Sequence, residues 1–410
     1  MDISELLARF NADRPLVINR AGSATVARLA CAAVSSGRRV AVVVRSREEL
    51  ASMRGLVSLF TPELSVGRPD SPAQGSPQAA EAPLWEKTWA VLPPFNTRSL
   101  SREGWAGRMA VLYALSGRKS RGVILSADNL LPLLPPLDFF AGRELVIRRN
   151  EELSPELMLE QLVEWGYRRE SMVSRAGDMA RRGDILDVLP PGYEKPIRIE
   201  FFGNTVDEMR VFDPNTQRST GQIDEVTLLP VSPIRQDARS RKLMTGRWKR
   251  LFQQGIISEF AEASLSRALE QGDLRLMPGC AYEEGSSLET WIGEALWFLP
   301  GARDIEETLR SAEMQWKEGL VKDMEETRLE QPEHLVLRHA DDAVRELERL
   351  PRAYAEPLVM GTENQGVDLP ERSYRSFGEL FSGRPDTDRP WQQLVSGLRG
   401  WLGEKRQDLL

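Results

Sequence analysis

Two cysteines in 410 residues, Cys31 and Cys280, leave no basis for a disulfide framework. They stand far apart in apolar surroundings, as buried free thiols of a reducing compartment do. Histidine is equally scarce: His334 and His339 match no zinc-binding spacing and have no cysteine beside them, so surface or satisfied core histidines are expected. Positive charge is in deficit, with 54 Lys and Arg against 61 Asp and Glu and a formal net charge of −7. That balance excludes a molecule whose whole surface is a phosphate-binding field, so any nucleic-acid contact must be local. No apolar run approaches the ~18 residues of a membrane helix, and the longest strand-like run spans Val40 to Val44. The opening MDISELLARF has neither a basic n-region nor a long apolar h-region, so no secretory signal is expected and a cytoplasmic protein is.

What is present is an alternation of strands and helices. PLVINRAGSATVARLACAAVSSGRRVAVVVRSREEL runs from an apolar segment through a Gly/Ser turn into an Ala-rich helical stretch. Gly37, followed by Arg38 and Arg39, ends that helix before a β-branched strand and another helical stretch. This βαβ unit predicts a parallel sheet. TWAVLPPF and GVILS bracket the helical EGWAGRMAVLYALSG and extend the alternation to about Ala141. Ahead of them, Thr61 to Pro83 is rich in Pro, Gly, Ser and Ala, and reads as a long mobile surface loop.

After ELVIRR the texture changes. SPELMLEQLVEW is an amphipathic helix with Ser154 as cap and Pro155 at its first position. Leu157, Leu159, Leu162 and Trp165 are expected to pack it onto the strands that follow, giving a small α+β unit over residues 142–229. Beyond LLPVSPIRQDARSRK the chain turns predominantly helical, and DIEETLRSAEMQWKEGLVKDMEETRLE reads as one long helix with a solvated charged face. Weaker strand signals follow in EHLVLRH and EPLVMGT, and then a helix, WQQLVSGLRGWLGEKRQ. Its abrupt stop leads to the expectation of a chain that ends inside a further domain.

The turn in INRAGSATVARLA stands where a phosphate-binding loop belongs. GxxxxGK[ST] chemistry needs backbone N–H groups that approach the phosphates, a lysine to neutralise them and a hydroxyl for Mg²⁺. Ser23, Ala24 and Thr25 occupy its last three positions, so the lysine is missing and with it the charge that stabilises a transferred phosphoryl group. Gly22 and Ser23 then read as a turn and helix cap. There is no G-x-S-x-G elbow, and no motif places a carboxylate for catalysis. The aromatic segment ETWIGEALWFLP could stack nucleobases, but its flanking Glu289 and Glu294 and its helix-like spacing favour core packing.

In PIRIEFFG, period-two alternation puts Ile197, Ile199 and Phe201 on one face and Arg198, Glu200 and Phe202 on the other. The first face is core. A solvated second face would leave Phe202 in water without benefit to folding, whereas arginine beside an aromatic is the composition of interface hot spots. Alternation alone leaves both readings open: the helix from Ser154 covers this face, or a partner does.

RRGDILDVLPPGYEKPIRIEFFGNTVDEMRVFDPNTQRST resembles the segment shared by UvrB and the transcription-repair coupling factors (Mfd), which reads RGxxLDxxP…RIEFFxxxxxxxRxFDxxTQ. UvrB keeps an intact GKT, whereas the coupling factors are degenerate where Ser23, Ala24 and Thr25 stand here. LRLMPGCAYEEGSSLETW…LWFLPGA also looks like the coupling factors. The resemblance implies an α/β protein with a degenerate RecA/helicase-like parallel-sheet core. Residues 1–141 would be domain 1a and 142–229 an inserted α+β domain 2, with 230–348 as domain 1b and 349–410 as the start of a partial C-terminal α/β domain. It implies that UvrA binds domain 2 through Arg182, Arg198 and Phe202, a surface that a C-terminal domain masks in family members. RNA polymerase, double-stranded DNA, ATP and magnesium would be bound by domains outside this sequence, leaving the chain a non-catalytic adaptor without a cofactor and without a membrane. The alternative is a UvrB-like ATP-dependent DNA helicase with an atypical loop. Damaged-DNA binding by the module itself would need a basic surface, against the net charge.

Overall fold

The computed structural model describes residues 3–10, 15–60, 83–117, 120–356 and 366–368. Helix α1 (Ile3–Leu7) precedes strand β1 (Leu16–Asn19), and α2 (Ser23–Ser35) leads to β2 (Val40–Val44) and α3 (Arg47–Phe60). Strand β3 (Trp89–Leu92), α4 (Arg102–Ser116) and β4 (Gly122–Ser126) continue the expected alternation. The small side chains of Ala27, Ala30 and Ala33 are fully buried, which lets the backbone of α2 lie close against the sheet.

The chain then leaves this layer through β5 (Leu145–Arg148) and α5 (Pro155–Glu164). Strands β6 (Arg168–Arg169), β7 (Asp178–Arg182), β8 (Ile185–Val188), β9 (Ile197–Phe202), β10 (Thr205–Phe212) and β11 (Ser219–Gln222) follow before β12 (Glu225–Leu228). β12 pairs antiparallel with β5, Leu145 opposite Leu228, so the chain departs and returns on adjacent strands. Helices α6 (Ala238–Gln253), α7 (Glu259–Glu270), α8 (Pro278–Ala281) and α9 (Leu288–Ile292) lead back to β13 (Leu296–Pro300). The long helix α10 (Ala302–Thr327), then α11 (Glu333–Val336) and α12 (Ala340–Leu347), precede β14 (Arg352–Glu356) and β15 (Val367–Asp368).

Seven strands form a parallel sheet in the order β15-β1-β14-β13-β2-β4-β3. Every residue of β2, β3 and β4 is buried, as strands covered on both faces require. β13 and β14 wedge between β1 and β2, so the sheet is completed only after the inserted unit. Because β14 pairs with both β1 and β13, the division expected at residue 349 cuts through this sheet. EHLVLRH is not a strand: α11 forms one turn there, burying Leu335 and Val336. Residues 61–82 of the loop expected from Thr61 to Pro83, most of EPLVMGT and the WQQLVSGLRGWLGEKRQ helix lie outside the described residues.

α10 is the expected long charged helix. Its buried stripe of Ile305, Leu309, Ala312, Trp316 and Leu320 repeats every three or four residues. Trp291 and Trp297 are buried, as core packing rather than base stacking demands. Cys31 and Cys280 are buried free thiols, and burial pushes the Cys280 thiol up to about 12.

The second sheet, in the order β11-β10-β9-β8-β7-β6, is antiparallel apart from the β6–β7 pair. α5 lies on its apolar face, where Met158, Leu159, Leu162 and Trp165 share a core with Ile197, Ile199 and Met209. Leu157 does not join them and is 67% exposed. Positions 155, 158, 159 and 162 form one helical face, and 157 falls outside that arc.

Candidate functional site

The apolar core of the second sheet decides which of its faces is free. Arg181 points to the α5 side, where its Nη2 donates to Glu156 at 2.8 Å. Arg182, one residue on, therefore points to the opposite face. β7, β8 and β9 pair in register, Arg182 opposite Ile185 and Ile185 opposite Glu200, while Asp187 faces Arg198. Arg182, Arg198 and Phe202 thus share one face, and α5 lies on the other. Phe202 is 82% exposed. The reading in which the helix from Ser154 seals this ring is overturned.

Turn chemistry sets the two ends of this surface. Arg182 and Phe202 each precede a two-residue hairpin loop that begins with glycine, Gly183 at φ +62° and Gly203 at φ +61°. Side chains with a β-carbon disfavour that conformation, which glycine takes freely. β7 and β9 run in the same direction, so both hairpins project from one end of the sheet. Two strand spacings across the sheet and two residues along it put Arg182 and Phe202 about 12 Å apart.

Each of the three residues meets a partner differently. The Arg182 Nη2 donates to the Ser171 carbonyl at 2.7 Å, which holds an otherwise exposed guanidinium at the rim. Arg198 is clamped: its Nε and Nη2 donate to the two Asp187 oxygens at 2.7 and 2.9 Å, and the guanidinium lies 4.8 Å from the Phe212 ring centroid. The Asp187 side chain is 4% exposed. Hydrogen bonding to Asp187 raises the Arg198 pKa above its ordinary value. Nη2 also donates to Gln217 Oε1 at 3.4 Å, which leaves Nη1 as the free corner of a fixed guanidinium, and with the bare phenyl ring it can accept a polar group next to an apolar contact. The motif residues were legible in sequence; Asp187, which orients one of them from the next strand, was missed, although it stands in the same GDILDVL stretch.

The degenerate loop shows a different chemistry. Gly22 is the extended residue before α2, and Ser23 opens the helix without a side-chain cap bond from Gly22. The Ala21 N–H donates to the carbonyl of Glu356, whose carboxylate accepts from the Ala302 N–H. The Glu356 carboxylate lies against Gly301 and Ala302, and alanine in the lysine position leaves the loop without the cation that a nucleoside triphosphate needs. A cleft of about 1430 Å³ opens elsewhere, at the carboxyl ends of β2, β3 and β4. Its Arg45 bonds Glu49 and Asp304, and its Arg108 donates to Asn129 at 2.6 Å and Pro93 at 3.2 Å. Burial pushes Arg108 down to about 9 and also raises the Asp128 carboxyl. Arg45 is satisfied internally, whereas the buried Arg108 Nε has no hydrogen-bond partner among the described residues. His334 and His339 are exposed, and no group of metal-ligating side chains occurs among the described residues.

Residues 145–233 match the UvrB interaction domain family. Over 165 residues, 40% of this chain, the sequence is 30% identical to the transcription-repair-coupling factor of Escherichia coli. It is 37% identical over 125 residues, 30% of the chain, to that of Staphylococcus haemolyticus, and 30% identical over 142 residues, 34% of the chain, to that of Myxococcus xanthus. Over these segments the chain is similar to the transcription-repair-coupling factors. The matched parts cover 14%, 11% and 12% of those three relatives. The UvrB interaction domain contains the whole six-stranded sheet, the β5–β12 pair and all three residues of the exposed face. No helix among the described residues is long and apolar enough to cross a membrane.

Proposed function

We propose that the chain is a non-catalytic adaptor of a cytoplasmic transcription-repair-coupling factor. Its UvrB interaction domain docks UvrA through Arg182, Arg198 and Phe202, and so brings nucleotide excision repair to stalled RNA polymerase. The observation that carries this reading is the Phe202 ring, 82% exposed on the sheet face opposite α5. A large aromatic kept in water beside two oriented arginines fits a protein-docking surface.

Titration of purified UvrA tests it. Phe202→Ala removes an exposed ring and is expected to leave the melting temperature within a degree or so of the parent's while weakening UvrA binding about 30-fold, the equivalent of ~2 kcal/mol. Arg182→Ala is expected to weaken binding and to flatten its salt dependence, since an arginine-dominated contact loses strength as ionic strength rises. Unchanged UvrA affinity in both variants would refute the docking assignment.

The helicase alternative places ATP chemistry at Ser23, Ala24 and Thr25. Against it stands the missing lysine. DNA-stimulated ATP hydrolysis that disappears in Thr25→Ala would restore that alternative; no turnover above background is expected.

A further inference from the structure

A net charge of −7 conceals one helix of the opposite sign. α6, ARSRKLMTGRWKRLFQ, carries six Arg and Lys and no Asp or Glu. Arg239, Arg241 and Lys242 crowd its N-terminal end, where the helix dipole is already positive, so they oppose the dipole rather than complement it. Asp237 caps that end and is engaged with Ser240. Helix stability therefore does not explain these cations.

Half of the six are used internally. Arg241 donates to the Gln236 carbonyl, Arg247 to the carbonyls of Gly279 and Cys280, and Arg250 pairs with Glu283. Arg239, Lys242 and Lys249 are exposed, and their side chains make no hydrogen bond or ion pair among the described residues. At positions 239, 242 and 249 they fall on one side of the helix, over about 15 Å of its length. Gly246 lies in the same stripe, and a β-carbon there would meet nothing closer than Arg250 Nη1 at 3.7 Å. Glycine in an open mid-helix position is less stable than alanine. What it provides is a bare stretch of backbone that a bulky ligand can approach.

The ligand class follows from these features. Met244 and Trp248, which an interfacial membrane helix would insert into lipid, are buried in the core, and Trp248 Nε1 donates to Cys280 at 2.8 Å. A row of free cations flanking an open glycine suits a continuous polyanion, and duplex DNA presents one charge per ~1.7 Å of its axis. We propose that the exposed face of α6 binds the phosphate backbone of duplex DNA through Arg239, Lys242 and Lys249, with Gly246 admitting close approach. The contact is local, as the acidic composition demands, and does not depend on docking at Phe202.

Fluorescence anisotropy with a labelled random-sequence duplex tests this on the full chain. Three phosphate contacts predict a slope of about −2.7 for log K against log salt, or about 40-fold weaker binding over a roughly fourfold rise in salt. Arg239→Ala, Lys242→Ala and Lys249→Ala combined are expected to weaken binding at low salt by at least roughly tenfold and to flatten the slope. Gly246→Glu improves helix propensity and should keep the fold while weakening binding; it decides the matter if the triple variant does not fold. Phe202→Ala should bind the duplex as the parent does. Absence of binding by the parent at low salt, or unchanged binding in Gly246→Glu and the triple variant, would overturn the proposal. Capture of polyglutamate or of phosphatidylserine vesicles, lost in the triple variant and without duplex binding, would overturn it in favour of an acidic protein or a membrane.

Discussion

Arg198 holds its position because Asp187 holds it. Alternation along β9 separates Arg198 and Phe202 from the core, and that much is legible in eight letters of sequence. The bidentate lock to the neighbouring strand is not, because pairing register is fixed by the turn at Gly192 and the strands around it rather than by any local period. The lock changes what a substitution at Arg198 reports. Arg198→Ala leaves the Asp187 carboxylate, 4% exposed, without its partner. A loss of roughly 3 kcal/mol in unfolding free energy is expected, since removal of one partner strands a buried charge. Substitution of both residues by Ala should recover part of that loss in urea melts. Additive losses would show that the pair is uncoupled. Arg198→Ala therefore mixes stability with binding, whereas Phe202→Ala does not.

At the scale of the element, helical periodicity placed α5 and α10 correctly but not every residue on them. Leu157 and Met158 are both apolar, and the arc that takes in 155, 158, 159 and 162 buries the second and leaves the first exposed. The junction of α10 with α12 was invisible in sequence, yet one carboxylate organises it. Burial pushes the Glu313 carboxyl up, but the Ala340 N–H at 2.8 Å, Lys317 and His339 outweigh burial and bring it down to about 2. A carboxyl lowered on folding contributes stability that is complete above its ordinary value of 4.5 and is lost as pH falls through about 2. Glu313→Gln is expected to cost roughly 2–3 kcal/mol at neutral pH. The gap between variant and parent should close across that acid window when unfolding free energy is followed against pH. A gap that stays constant down to the acid end would mean that Glu313 acts through shape and not through charge.

For the whole molecule, the strand–helix alternation gave the class of the first sheet, while its order depended on contacts no window of sequence contains. β13 and β14 take the places between β1 and β2, and both come after the inserted unit. The insertion itself is closed by a local device: β5 and β12 pair so that Leu145 faces Leu228, only about 5 Å apart between α-carbons. A unit whose ends meet across one strand pair, and whose core of α5 against the second sheet takes only Ala106 of α4 from outside it, has what independent folding requires. Its seam with the first layer is narrower: Trp85 packs edge-on against Tyr193 at 5.6 Å, and Lys87 bonds Glu194 at 3.0 Å. A fragment of residues 143–233 is therefore expected to unfold in one cooperative thermal transition. Because Arg182, Arg198 and Phe202 are all on the sheet face turned away from α5, it should bind UvrA about as tightly as the full chain. A folded fragment with much weaker affinity would place part of the docking surface on the parallel-sheet layer, across the Trp85 seam.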